Sequence, residues 1–158
     1  MKLSEFRVPV EERYFEDYEA NCTYHCGRRT VTESEIIEFA QRYDAQWFHT
    51  DPLEARRSIY GGLIASGWHT VSMTMELLVR NYVSAVASLG SPGVETLRWP
   101  APVRPGDQLA ATVEVLDARV SRSKPDRGIV RARIETRNQD GTEVLGLISV
   151  NFFLRRNA

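Results

Sequence analysis

Between Ile64 and Val86 apolar residues recur at steps of three and four: Ile64, Trp68, Val71, Met75, Leu78, Tyr82 and Val86. That spacing marks one face of an α-helix. Leu63, Leu77, Val79 and Val83 widen the stripe until the helix is apolar around much of its circumference. Such a helix is expected at the centre of a domain, wrapped by something else. The sequence after it supplies the wrapping. Ser91-Pro92-Gly93 breaks the helix, and four strand-like segments follow. Val94–Val103 is cut by Pro100 and Pro102, and Leu109, Ala111, Val113 and Val115 alternate with polar or small residues. Val130, Ala132, Ile134 and Thr136 alternate with Arg131, Arg133, Glu135 and Arg137, and Val144–Leu154 is apolar on both faces. Antiparallel strands around one long helix describe an α+β domain.

The first half adds shorter elements. Residues 1–21 form an aromatic and acidic lead-in whose Tyr14, Phe15 and Tyr18 are expected to pack onto the domain, and residues 22–30 suit a first strand. Thr32-Glu33-Ser34-Glu35 has the spacing of a capping box, followed by the stripe Ile36, Ile37, Phe39, Ala40, Tyr43. This helix is expected to stop near Asp44. Asp51-Pro52-Leu53-Glu54 signals the start of a second short helix over DPLEARRS.

Composition narrows the function classes. A formal charge of −1 over 158 residues gives no global field for nucleic acid or anionic lipid. The first thirty residues carry too much charge for a signal-peptide core, and no apolar run approaches a membrane span, so a cytoplasmic protein is expected. Cys22 and Cys26 would lie about 13 Å apart on one strand, too far for a disulfide, and His25 beside them lacks the further ligands of a zinc site. Two ordinary thiols and no metal are expected. Arg119, Arg122, Lys124, Arg127, Arg131, Arg133 and Arg137 read as a solvated sheet face, with a phosphate-docking patch as the alternative.

Chemistry concentrates in two places. Asp44 and His49 stand five positions apart, on different sides of any continuous helix, so they converge only if the chain bends between them. A carboxylate beside an imidazole can hold a water, take its proton and return one elsewhere. Spacing alone favours the plainer reading, in which Asp44 caps a helix end and His49 is a loop histidine. Gly61-Gly62-Leu63-Ile64-Ala65-Ser66-Gly67 leads into the central helix, where backbone N–H groups can approach a developing oxyanion. His69, one turn into that helix, reads as structural.

These segments together resemble the MaoC-like hydratase family, which includes R-specific enoyl-CoA hydratases. The family signature Asp-x-Asn-Pro-aliphatic-His, followed by an acidic residue and Pro, is similar to Asp44-Ala45-Gln46-Trp47-Phe48-His49-Thr50-Asp51-Pro52. Gly62–Gly67 resembles the entry into the family's central helix, Val103-Arg104-Pro105-Gly106-Asp107 its turn before a strand, and Gly27–Ser34 the lead into its first helix. The resemblance implies a single hot dog domain over residues 1–158, an antiparallel sheet wrapped around one long central helix. It implies pairing with a second copy as a homodimer, or as dimers of dimers or a trimer of dimers. The implied substrates are acyl thioesters of coenzyme A or acyl carrier protein, with no cofactor beyond coenzyme A as part of the substrate. The implied reaction is reversible hydration of a 2-enoyl thioester. Asp44 and His49 would be catalytic, the Gly67 N–H would bind the thioester oxygen, and Gln46, Trp47 and Ser66 would contact substrate. Gln46 and Trp47 stand where the family has Asn and Pro. That departure leaves a non-catalytic acyl-thioester-binding or partner subunit as an alternative, with a hot dog thioesterase ranked below it.

Overall fold

The computed structural model describes residues 3–158, so the first two residues of the lead-in lie outside the described residues. Six strands form one sheet in the order β1-β2-β4-β5-β6-β3. They are β1 (Leu3–Ser4), β2 (Thr23–Thr30), β3 (Gly93–Arg98), β4 (Gln108–Val120), β5 (Arg127–Arg137) and β6 (Glu143–Leu154). All neighbours are antiparallel except the short β1, which runs parallel to β2. Register shifts interrupt β2, β3, β4 and the β5–β6 pairing, and bulges of this kind bend a sheet. The alternation in the sequence sets the faces. Leu109, Ala111, Val113 and Val115 of β4 and Val130, Ala132 and Ile134 of β5 are buried together on the concave side. There the sheet wraps the long helix α3 (Gly67–Asn81), the hot dog architecture.

Helix α3 is shorter than the expected Ile64–Val86. Its start is fixed by Ser66, whose hydroxyl accepts from the Trp68 N–H. Before it, Ala65 N–H donates to Val103 O (2.8 Å) and Ile64 N–H to Phe48 O (3.3 Å), so these two residues are held outside the helix. At the other end the buried guanidinium of Arg13 donates to Asn81 O (3.0 Å) and Tyr82 O (2.9 Å). A cation at a helix C-terminus satisfies carbonyls that have no partner within the helix.

The buried face only partly follows the expected stripe, of which Ile64, Leu78 and Tyr82 are buried. Trp68 is 59% exposed, Met75 43% and Val86 49%, whereas His69, Thr70, Met73, Thr74, Leu77 and Leu78 are buried. A helix apolar around most of its girth carries two overlapping stripes, and periodicity does not say which one meets the sheet. The chosen face includes Thr70 and Thr74, small side chains that let the axis approach the strands. Thr74 Oγ1 and Thr136 Oγ1 share a buried 2.8 Å hydrogen bond at that contact.

The other elements follow local signals closely. Helix α1 (Glu33–Tyr43) begins at the Thr32 cap, where Glu35 N–H donates to Thr32 Oγ1, and ends at Asp44. The expected helix over DPLEARRS is instead only a 3₁₀ turn (Glu54–Arg57), and a single-turn helix α2 (Trp47–Thr50) precedes it. Asp51 Oδ1 accepts from the N–H groups of Leu53 (2.9 Å) and Glu54 (3.0 Å), so its capping role holds while the helix does not propagate. Strand β3 stops at Arg98, ahead of Pro100 and well short of the expected Val103, because proline cannot donate to the ladder. Phe15 and Tyr18 pack into the core and Tyr14 is half-buried. Cys22 and Cys26 are free thiols.

Candidate active site

The sharp reversal between α1 and α2 brings Asp44 and His49 together. Asp44 caps the end of α1 in a non-helical conformation (φ −154°, ψ 66°), and Gln46 restarts the chain as the N-cap of α2. His49 Nε2 then lies 3.5 Å from Asp44 Oδ2. The imidazole is buried, and its Nδ1 stands 2.7 Å from the carbonyl oxygen of Ile64. A carbonyl only accepts, so Nδ1 donates to it and Nε2 is the ring nitrogen that faces Asp44.

Asp44 is held as tightly. Its Oδ1 accepts from Gln46 Nε2 (2.8 Å) and its Oδ2 from Ser66 Oγ (2.7 Å). Partial burial raises the carboxyl pKa, but the Ser66 hydroxyl, the Gln46 amide and His49 outweigh it and leave the group below its ordinary value. Asp44 is therefore a carboxylate at neutral pH.

Both side chains line a cavity of about 560 Å³. Phe48, Tyr60, Trp68 and Trp99 supply aromatic wall, and the Pro100–Val103 loop closes one side. Gly67, the first residue of α3, lines the same cavity. Its N–H is one of those at a helix start without an intrahelical acceptor, on the positive end of the helix dipole. A carboxylate, an imidazole and the first residue of α3 thus line one space.

Of the residues singled out in the sequence, Asp44, Gln46, His49 and Gly67 converge on this cavity. Ser66 is fully buried beneath it and donates to Asp44, a supporting place in contrast to the expected substrate contact. Trp47 projects from α2, 48% exposed, with its ring edge-on to Phe48, and it does not line the cavity. His69 is buried and stacked on Phe39 of α1, with Nε2 3.8 Å from Glu35 Oε1, a structural setting. Burial lowers its pKa and Arg29 adds to that, against the opposing pull of Glu35. The arginine-rich strands are elsewhere: Arg131, Arg133 and Arg137 pair with Glu95, Glu114 and Glu135 on the outer sheet face, and Arg127 pairs with Asp126. This is the solvated face, and no residue of that cluster lines the cavity.

Two features had no clear sequence signal. The Ile64 carbonyl that orients His49 is a backbone group, visible only once the chain before α3 is placed. Trp99 falls within Val94–Val103, the segment expected as a strand, but lies beyond the end of β3. An aromatic residue wedged before Pro100-Ala101-Pro102 was the available hint that it belongs to a loop. Among the described residues no cluster of His, Cys, Asp and Glu is suited to a metal ion, and no helix is long and apolar enough to cross a membrane.

Known proteins resemble this chain in sequence and in fold. A family model described as a MaoC like domain matches residues 22–138. The crystal structure of a MaoC-like dehydratase from Rhodospirillum rubrum is similar with a TM-score of 0.85 and 39% identity, covering 92% of this chain and 99% of that one. The uncharacterized protein YdeM of Bacillus subtilis (strain 168) is 30% identical over 121 residues, 76% of this chain and 84% of its own length. An (R)-hydratase from A. caviae involved in PHA biosynthesis shares the fold, with a TM-score of 0.70 at 22% identity over 87% of this chain and 98% of that one. The match runs from β2 through β5 and takes in both halves of the site, and the chain belongs to the MaoC-like domain family.

Proposed function

We propose that this protein adds water reversibly across the double bond of a 2-enoyl thioester, carried on coenzyme A or acyl carrier protein, to give a 3-hydroxyacyl thioester. The observation that carries the reading is the 3.5 Å approach of His49 Nε2 and Asp44 Oδ2 on the wall of a cavity that Gly67 also lines. A water bonded to both acceptors loses a proton to the pair as its oxygen bonds to the β-carbon. The double-bond electrons move through the α-carbon onto the thioester oxygen, where the Gly67 N–H stabilises the enolate. The pair returns one proton to the α-carbon as the carbonyl re-forms. Atoms balance as one water added. Gln46 and Ser66 keep Asp44 ionised and aimed, and the Ile64 carbonyl keeps His49 Nε2 facing Asp44. The proposal involves no cofactor other than the coenzyme A portion of the substrate.

A second copy belongs to the same proposal. Strand β3 is a sheet edge with Val94 52% exposed, and Met75 of α3, 43% exposed, lines a groove together with Val94. Pairing of two β3 edges would satisfy the open backbone groups and cover these side chains. Light scattering after size exclusion measures this directly.

The test is a panel of 2-enoyl-CoA thioesters, beginning with crotonyl-CoA, followed by loss of absorbance of the conjugated double bond. Turnover is expected with at least one, and Asp44→Asn or His49→Ala should each lower it roughly 10²–10⁴-fold. Release of free thiol from saturated acyl-CoA would instead indicate a thioesterase. Acyl-CoA binding with no turnover on the whole panel would indicate a non-catalytic acyl-binding subunit.

A further inference from the structure

Trp99 lies just beyond the end of β3, lines the same cavity as Asp44 and His49, and makes two contacts with Gly67. Its Nε1–H donates to the Gly67 carbonyl oxygen at 2.9 Å. Its ring presses against the Gly67 Cα so closely that a Cβ built there would meet Trp99 Cε2 at 2.6 Å and Cδ2 at 2.8 Å. Trp68 braces the indole edge-on, with ring centroids 5.4 Å apart. Glycine at this position is therefore required by the tryptophan, independently of any ligand.

The carbonyl that Trp99 binds belongs to the Gly67–Trp68 peptide. The N–H of that peptide donates to Ser66 Oγ at 3.3 Å, and the Ser66 hydroxyl donates to Asp44 Oδ2 at 2.7 Å. Every link runs in one direction, from the indole N–H through the peptide and the hydroxyl to the carboxylate. Donation to a peptide oxygen polarises the N–H on its other side, and a hydroxyl that accepts a stronger bond donates a stronger one. Asp44 has His49 as its titratable neighbour, with Ser66 and Gln46 as its uncharged donors.

We propose that Trp99 is a positioning residue for the Asp44–His49 site: it fixes the first peptide of α3 and strengthens, through Trp68 N–H and Ser66 Oγ, the hydrogen bond that holds the Asp44 carboxylate. The relay stands on these contacts alone, and its bearing on turnover rests on the hydratase reading.

Trp99→Phe keeps an aromatic ring and removes the donor. Titration of the Asp44 carboxyl carbon by NMR in the intact chain should show its pKa rising by roughly 0.3–1 unit relative to wild type. Turnover of an enoyl-CoA should fall roughly 2- to 10-fold in kcat while KM stays within about twofold. A wall residue without the relay would move KM and leave the Asp44 titration alone, and that result overturns the proposal. A second measurement tests the contact itself. Gly67→Ala should lower thermal stability in the wild-type chain and cost little in a Trp99→Ala background, because the clash is gone. Equal costs in both backgrounds would also overturn it. The carboxyl titration does not depend on turnover, so a shifted titration with no hydration of any enoyl thioester would reject the reaction and keep the relay.

Discussion

The ring of Phe15 rests directly on Gly128 of β5, so closely that a Cβ at position 128 would fall 1.9 Å from Phe15 Cδ2. This contact fastens the lead-in segment to the sheet, where Phe15 and Tyr18 join the main core. Gly128→Ala forces the ring or the strand to move and should destabilise the protein by about 1–3 kcal/mol. Urea denaturation measures it. Combined with Phe15→Leu, the loss should be less than additive, since the smaller side chain removes part of the clash.

Arg13 is 3% exposed and donates to the carbonyls of Val8, Asn81 and Tyr82. Arg13→Met keeps the apolar stem and strips the donors from the end of α3. The expected cost is about 2–4 kcal/mol, from carbonyls left buried without partners. The site lies at the other end of the helix, so surviving folded protein should retain its turnover. A large loss of kcat in folded Arg13→Met would contradict that separation.

The pH dependence of turnover should reflect the stabilised carboxylate. Asp44 titrates below its ordinary value of 3.8, so the acidic limb of kcat/KM attributable to it should lie below the usual carboxylate range. Ser66→Ala removes the donor to Oδ2 and should move that limb upward. The sign for stability is the same: a lowered carboxyl pKa stabilises the fold above the unfolded-state value, and this is lost as pH falls through the folded one. A limb unmoved by Ser66→Ala would show that the hydroxyl does not support the charge.

His69 carries the opposite charge type and gives a separate pH window. Its pKa is lowered from 6.5 because the buried ring resists protonation. The unfolded chain therefore binds the proton first. Stability contributed by the neutral ring is complete above the unfolded pKa of about 6.5 and declines as pH falls toward the folded value. His69→Leu should flatten denaturant midpoints below about pH 6.5 relative to wild type. Parallel curves for the two proteins would assign the acid sensitivity elsewhere.

Local chemistry was readable directly from the chain. Thr32 starts α1 because its hydroxyl accepts from the Glu35 N–H wherever the helix sits, whereas the Glu35 carboxylate accepts from that hydroxyl and not from the backbone N–H that a capping box would give it. Alternation in β4 and β5 set which residues face inward, because a strand's side chains have a period of two in any sheet. Asp44 and His49 were found by their likeness to a family pattern, and the bend that joins them followed from two flanking helix signals. Tertiary structure decided what depends on distant backbone. The buried face of α3 was chosen by fit against the sheet, since several faces were apolar enough. The Ile64 carbonyl that orients His49, and the Trp99 indole that requires glycine at position 67, come from segments remote in sequence. A carbonyl has no residue identity and a wedge has no period, so neither leaves a pattern until the chain has closed around the site.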